Sequence, residues 1–206
     1  MKISLPYLEG RGLSCIRDDR VLFEQLDFSL KSGQVLLLEG KNGSGKTSLL
    51  RILCGFREPD SGTVICCGET INDSPYYADL AYVGHLDGIK KELTVSENLK
   101  VSLALSQPGR YSMQQALAKV KLEGYDDVLV QALSAGQKRR LSLARLLITH
   151  NRLWILDEPF TSLDKEGIAL IESLMIDHCL SGGMIVLTSH HETHLPGVDI
   201  QRIVLS

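Results

Sequence analysis

An α/β fold with a mixed core sheet, an N-terminal antiparallel β subdomain and a helical insert is what this chain of 206 residues predicts. Three observations carry that expectation. Apolar runs of strand length recur at 35–39 (VLLLE), 153–157 (LWILD) and 184–188 (MIVLT), and they are continuous rather than alternating, as in strands buried on both faces of a parallel sheet. Glycine-rich GKNGSGKT follows the first run at once and leads into a helical segment. Between about 92 and 148, strand signals vanish and helix signals replace them.

Taken in order, residues 21–30 (VLFEQLDFSL) partly alternate and suit an antiparallel strand of a second, N-terminal sheet. SLLRILCG reads as a helix with Gly55 as its C-terminal stop. Pro59-Asp60-Ser61-Gly62 is a turn, and TVICC after it reads as a strand. Thr94-Val95-Ser96-Glu97 has the spacing of a capping box and opens a helix. Residues 112–122 and 165–180 are helical in pattern, so strands and helices alternate outside the insert. The length suits one domain over 1–206, with 1–91 and 149–206 as the α/β core plus antiparallel β subdomain, and about 92–148 as the helical subdomain. There is no internal repeat and no low-complexity stretch.

Hydrophobic content of 44% and charged content of 23% are ordinary for a globular protein. The net charge of −3 speaks against a general nucleic-acid binder. Five cysteines, with Cys66 and Cys67 adjacent and no zinc spacing, suit buried thiols in a reducing compartment. No apolar run approaches the roughly 18 residues of a membrane span. The opening MKISLPYLEGRG lacks the apolar core of a signal peptide, so a soluble, cytosolic chain is expected, with any membrane work left to a partner.

Gly40-Lys41-Asn42-Gly43-Ser44-Gly45-Lys46-Thr47 matches G-x-x-x-x-G-K-[ST] in full, between a strand and a helix. The glycines let consecutive N–H groups turn inward around a phosphate, and the helix start adds its positive end. Lys46 is suited to the β- and γ-phosphates and Thr47 to Mg²⁺, with Ser48 next in the ATP-binding set. A flexible glycine turn is the bland alternative; it leaves the filled positions and the strand–loop–helix context unexplained. Asp157 ends a buried strand, where a carboxylate can also hold Mg²⁺, and Glu158 beside it has the character of a general base for water. An acidic strand end in solvent is the plainer reading of the pair.

A second candidate anion turn follows at Ser134-Ala135-Gly136-Gln137. Its S-x-x-Q spacing caps a helix, and a capped helix start still offers free N–H groups to an anion. Lys138, Arg139 and Arg140 follow; by default they form a solvated face, near a partner's phosphates at best.

Together the loop, the LWILDEP run and LSAGQ resemble the ATP-binding cassette (ABC) family of P-loop transport ATPases over nearly the whole chain. LSAGQ is similar to that family's signature loop, with Ala135 where glycine is usual. The resemblance implies a P-loop NTPase of the ABC ATPase fold that binds ATP and Mg²⁺. It implies a head-to-tail homodimer in which each signature loop closes over the partner's ATP. It also implies that Asp164 in Ser162-Leu163-Asp164 contacts the opposite subunit. His190 after the MIVLT strand resembles the histidine that touches the γ-phosphate, whereas His191 and His194 read as surface residues. Two positions depart from the family. Arg17 stands where an aromatic residue usually stacks on adenine; a guanidinium plane can stack on a base too. His85 stands where the family has a metal- and water-contacting glutamine, and Mg²⁺ prefers oxygen ligands. The expectation for His85 is therefore contact through water, at the groove where a membrane subunit docks, with Leu86 and Ile89 beside it.

Three classes compete: a transporter ATPase subunit, a soluble cassette acting on ribosomes or DNA, and a catalytically dead cassette. One cassette without long heptads excludes the second, and the presence of Lys46, Asp157, Glu158 and His190 excludes the third. GHLDGIKKELTVSENL (84–99) and RLWILDEPFTSLD (152–164) resemble the ATP-binding subunits of heme exporters in cytochrome c maturation. That resemblance implies integral membrane subunits as partners, no nucleic acid, and heme only indirectly. It implies a peripheral position on the cytoplasmic face of a bacterial inner membrane. The ATPase of another small exporter is the alternative.

Overall fold

A computed structural model describes residues 7–72 and 75–206. Residues 1–6, the start of the segment read as lacking a signal-peptide core, lie outside the described residues.

β1 (Leu8–Arg17) and β2 (Arg20–Leu30) form an antiparallel hairpin. Its two-residue turn places Asp18 and Asp19 at φ 50° and 58°, a left-handed region that aspartate tolerates better than most residues. β3 (Gln34–Gly40) leads through the glycine-rich loop into α1 (Lys46–Leu53). That helix ends where expected: Gly55 takes φ 68°, and Phe56 N–H closes on Arg51 O at 2.9 Å. β4 (Ser61–Cys66) and β5 (Glu69–Thr70) complete a four-stranded antiparallel sheet in the order β2-β1-β4-β5. Gly62, at φ 84°, lets β4 start against β1, since a Cβ there would collide with the carbonyl oxygens of Arg11 and Gly12.

β6 (Leu80–Val83) precedes α2 (Val95–Ala104), α3 (Met113–Lys119) and α4 (Ala135–Ile148). β7 (Leu153–Asp157), α5 (Lys165–Leu180), β8 (Met184–Thr188) and β9 (Asp199–Leu205) close the chain. The core sheet has five strands in the order β6-β7-β8-β3-β9. Every pairing in it is parallel, so the sheet expected to be mixed is not; the antiparallel pairs are confined to the N-terminal sheet. The physical reason lies in burial. β7 and β8 are buried at all five positions, which requires cover on both faces, and parallel strands joined through helices supply it.

The two faces hold separate cores. Val35 and Leu37, with Trp154, Leu156, Ile185 and Leu187, pack against α4 and α5, while Leu36 and Leu38, with Ile155 and Val186, pack against α1 and the antiparallel sheet. The parallel arrangement brings the C-terminal ends of β3, β7 and β8 to one edge, where an open sheet forms its ligand crevice. All five cysteines are free; four are buried as expected, and Cys67 is exposed in the β4–β5 turn. Among the described residues no helix is long and apolar enough to cross a membrane.

Candidate active site

The loop after β3 is built for close backbone approach. Gly40 sits at φ 144°, and a Cβ there would collide with Leu205 O and Ser44 Oγ. Lys46 is buried, and its Nζ donates to Gly40 O at 2.6 Å and Lys41 O at 3.1 Å, so its charge spans the loop from within. Ser44 Oγ is buried with no hydrogen-bond partner. A cradle that excludes a Cβ at Gly40 leaves its backbone free to curl closely around a phosphate, with Ser44 Oγ turned into the loop rather than into the cleft.

Beneath the loop, Asp157 is held on both carboxylate oxygens. Thr47 Oγ1 donates to Oδ2 at 3.2 Å, and Thr188 Oγ1 donates to Oδ1 at 2.7 Å. Thr188 also accepts from the backbone N–H of Glu158 at 2.9 Å, tying β8 to the turn that follows β7. Glu158 itself is left-handed at φ 51°. Its Oε2 accepts from His190 N at 3.2 Å, and its buried Oε1 has no hydrogen bond, with His190 Nε2 3.5 Å away. His190 Nε2 also lies 3.1 Å from Asn42 Oδ1, so one imidazole spans the glycine-rich loop and the acid. The donor set fits Mg²⁺: a threonine hydroxyl and a carboxylate are the hard oxygen ligands that ion takes. Behind the site, burial pushes the Cys54 thiol up to about 12, with Asp157 adding to it, so the thiol stays protonated and is no nucleophile.

These groups line an open cleft of about 530 Å³ that includes Asn42, Gly43, Gly45, Lys46, Thr47, Ser48, Asp157, Glu158 and His190. The β1–β2 hairpin forms its outer wall with Arg17, Asp18, Arg20 and Leu22. Arg17 is exposed and only loosely paired, Nε to Asp18 Oδ2 at 3.5 Å, so its guanidinium face is open. Gly40, Lys41 and Ser44 shape the loop without lining the cleft.

The remaining predicted residues stand elsewhere. Ser134 caps α4: its Oγ accepts from Gln137 N at 3.2 Å, and Gln137 Oε1 accepts from Ser134 N at 2.9 Å. Ser134 and Ala135 are exposed and outside their own chain's cleft. A Cβ on Gly136 would press on Ser162 O, so the LSAGQ turn and the Ser162–Asp164 loop are neighbours. Asp164, exposed, caps α5 through Gly167 N at 2.8 Å. His85 and Leu86 are exposed on the loop after β6, while Ile89 is half-buried against the core. His191 and His194 are at the surface, as expected.

One expectation about the residues around the site is overturned. Arg139 is not part of a solvated KRR face but is 3% exposed. It shares a helix face with Ser142, Leu143 and Leu146, all buried, so helical periodicity turns it inward. Thr188 and Arg20 were also not singled out. A polar residue ending the otherwise apolar MIVLT run was the available signal for the first, and two arginines flanking a DD turn for the second.

Residues 23–161 match the model of the ABC transporter family. The chain belongs to that family. It is 42% identical to the cytochrome c biogenesis ATP-binding export protein CcmA of Aliivibrio fischeri, over 96% of this chain and 98% of that protein. It is 49% identical to the protein of the same name from Pseudomonas syringae pv. tomato, over 90% and 89%. A solved ATP-binding subunit of an ABC transporter superposes with a TM-score of 0.85 at 25% identity, over 97% of this chain and 85% of that one. A putative ABC transporter ATP-binding protein from Pyrococcus furiosus has the same fold, with a TM-score of 0.82 at 24% identity over 96% of both chains.

Proposed function

We propose that this chain is the ATP-hydrolysing subunit of a membrane export complex in cytochrome c biogenesis, driving heme export and delivery to a periplasmic heme chaperone. The relatives named for cytochrome c biogenesis export, similar along nearly their full length, support the process. The chemistry rests on one observation: Asp157 is locked by Thr47 and Thr188 under the glycine-rich loop, and Glu158 beside it faces the same cleft with His190.

In this reading the loop N–H groups and Lys46 bind the ATP phosphates. Thr47 and Asp157 would hold Mg²⁺, which would supply positive charge to offset that of the phosphates. Glu158 takes a proton from the attacking water, whose oxygen displaces ADP from the γ-phosphorus. His190 orients the γ-phosphate from the far side of the acid. Arg17 stacks on the adenine.

The site is completed by a second copy packed head to tail, whose LSAGQ turn covers the nucleotide. Exposure of Ser134, Ala135 and Asp164 on the own chain supports that role. The helices α2–α4 form the helical subdomain of about 92–148, set into the α/β core of 1–91 and 149–206. The exposed His85 and Leu86 suit the groove for a membrane subunit. Integral membrane subunits cross the bilayer, the cassette sits on the cytoplasmic face of the inner membrane, and heme is handled by those subunits.

The test compares two variants. Glu158→Gln should bind ATP normally, hydrolyse it roughly 10²–10⁴-fold more slowly and accumulate an ATP-bound dimer. Lys46→Ala should instead lose nucleotide binding itself. Wild-type turnover in Glu158→Gln contradicts the assignment.

A further inference from the structure

We infer that Arg139 is a positioning residue for Glu158, joining the helix that carries the LSAGQ turn to the backbone that holds the acid. The inference rests on the proposed role of Glu158 as general base. A guanidinium has five N–H donors in a fixed plane, and all five contacts here go to acceptors. Nε donates to Pro159 O at 3.1 Å. Nη2 donates to Asp157 O at 2.9 Å and to Glu158 O at 2.8 Å. Nη1 donates to Gly84 O at 2.9 Å and to the Asp87 carboxylate at 3.2 Å.

Three consecutive carbonyls, 157 to 159, thus converge on one planar group at the end of β7. The two acids there depend on it unequally. Asp157 is held through its side chain by two threonines. Glu158 sits at φ 51°, and among the described residues its carboxylate meets only the exposed His190, whose N–H donates to Oε2 at 3.2 Å and whose Nε2 lies 3.5 Å from Oε1. With no other side-chain anchor, its direction depends on its backbone, and Arg139 and Thr188 hold that backbone. The same guanidinium grips Gly84 and Asp87, on either side of the exposed His85–Leu86 pair. A shift of α4 relative to β7 would therefore act on the Glu158 backbone and on that loop together. Neither lysine, a point charge with three donors, nor glutamine, with two, can reproduce this fork.

The experiment is a double-mutant cycle on the cassette purified with the membrane chains that accompany it, reading kcat and KM for ATP, with nucleotide affinity from a fluorescent ATP analogue. Arg139→Gln should lower kcat by roughly 10–100-fold, the effect of a misplaced catalytic group, with KM and affinity held within roughly threefold. In a Glu158→Gln background the same change should alter the residual rate less than roughly threefold, because its effect runs through Glu158. Arg139→Lys, which keeps the buried charge, repeats the cycle with a smaller loss and carries the test if Arg139→Gln does not fold. An equal fold-loss in both backgrounds, or a loss of nucleotide affinity, overturns the inference and leaves Arg139 a purely structural residue. If Glu158→Gln alone turns over at the wild-type rate, it is the general-base reading that fails.

Discussion

Thr188 shows how much of the site depends on single hydroxyls. It is fully buried at the end of β8, donates to Asp157 and accepts from the N–H of Glu158, so one side chain orders both acids. Arg17, by contrast, is held by little and faces the cleft from the hairpin. If it stacks on adenine, Arg17→Ala should weaken ATP binding by about 0.5–2 kcal/mol, the range of a cation–π contact, and Arg17→Tyr should largely restore it. Calorimetric titration decides; unchanged affinity in Arg17→Ala leaves only a surface charge. Far from the cleft, His178 stacks on Trp154 with ring centroids 3.8 Å apart and an interplanar angle of 10°. Burial pushes its imidazole down to about 4 from 6.5. The unfolded chain therefore takes up this proton first, and the fold loses stability as the pH falls through 6.5 toward 4. At about 1.4 kcal/mol per unit the loss has a ceiling of about 3 kcal/mol, lowered because the ring keeps some exposure. Thermal midpoints from pH 7 to pH 4 should fall less steeply in His178→Phe, which keeps the stack without the titration; parallel curves contradict this.

At the scale of elements, α2, α3 and α4 each begin with a complete capping box: Thr94 with Glu97, Ser112 with Gln115, and Ser134 with Gln137. Ser112→Ala and Ser134→Ala should each cost about 1 kcal/mol of stability. Only Ser134→Ala should also lower ATP turnover, and equal turnover in both reduces the LSAGQ turn to a helix start. The first and third boxes were legible as four-residue spacings, as were β3, β7 and β8 as continuous apolar runs. β1, β6 and β9 were not. β1 carries glycines and register shifts that break its alternation, β6 is four residues at a sheet edge, and β9 mixes exposed and half-buried positions. The same contrast holds within the cleft. Loop 40–47, Asp157, Glu158 and His190 were legible because each ends or follows a buried strand. The inward turn of Arg139 was hidden by the flanking Lys138 and Arg140, which make the run look solvated. A period count along α4, whose buried stripe passes through position 139, was the signal that could have found it.

At the scale of the molecule, the parallel sheet gathers the glycine-rich loop, the acids and His190 at one edge, while the LSAGQ turn is exposed away from that cleft. On the proposed head-to-tail reading, a chain with one loop of each kind would complete two sites only as a pair. Each site would then be shared between two copies, and mixing a Lys46→Ala chain with a Ser134→Arg chain tests this. In each mutant homodimer both sites carry one lesion. In the mixed dimer both lesions fall in one composite site, and the other keeps an intact phosphate loop facing an intact signature turn. ATPase activity, absent from either variant alone, should return on mixing; no return, with mixed dimers demonstrated by differential tagging, would contradict shared sites.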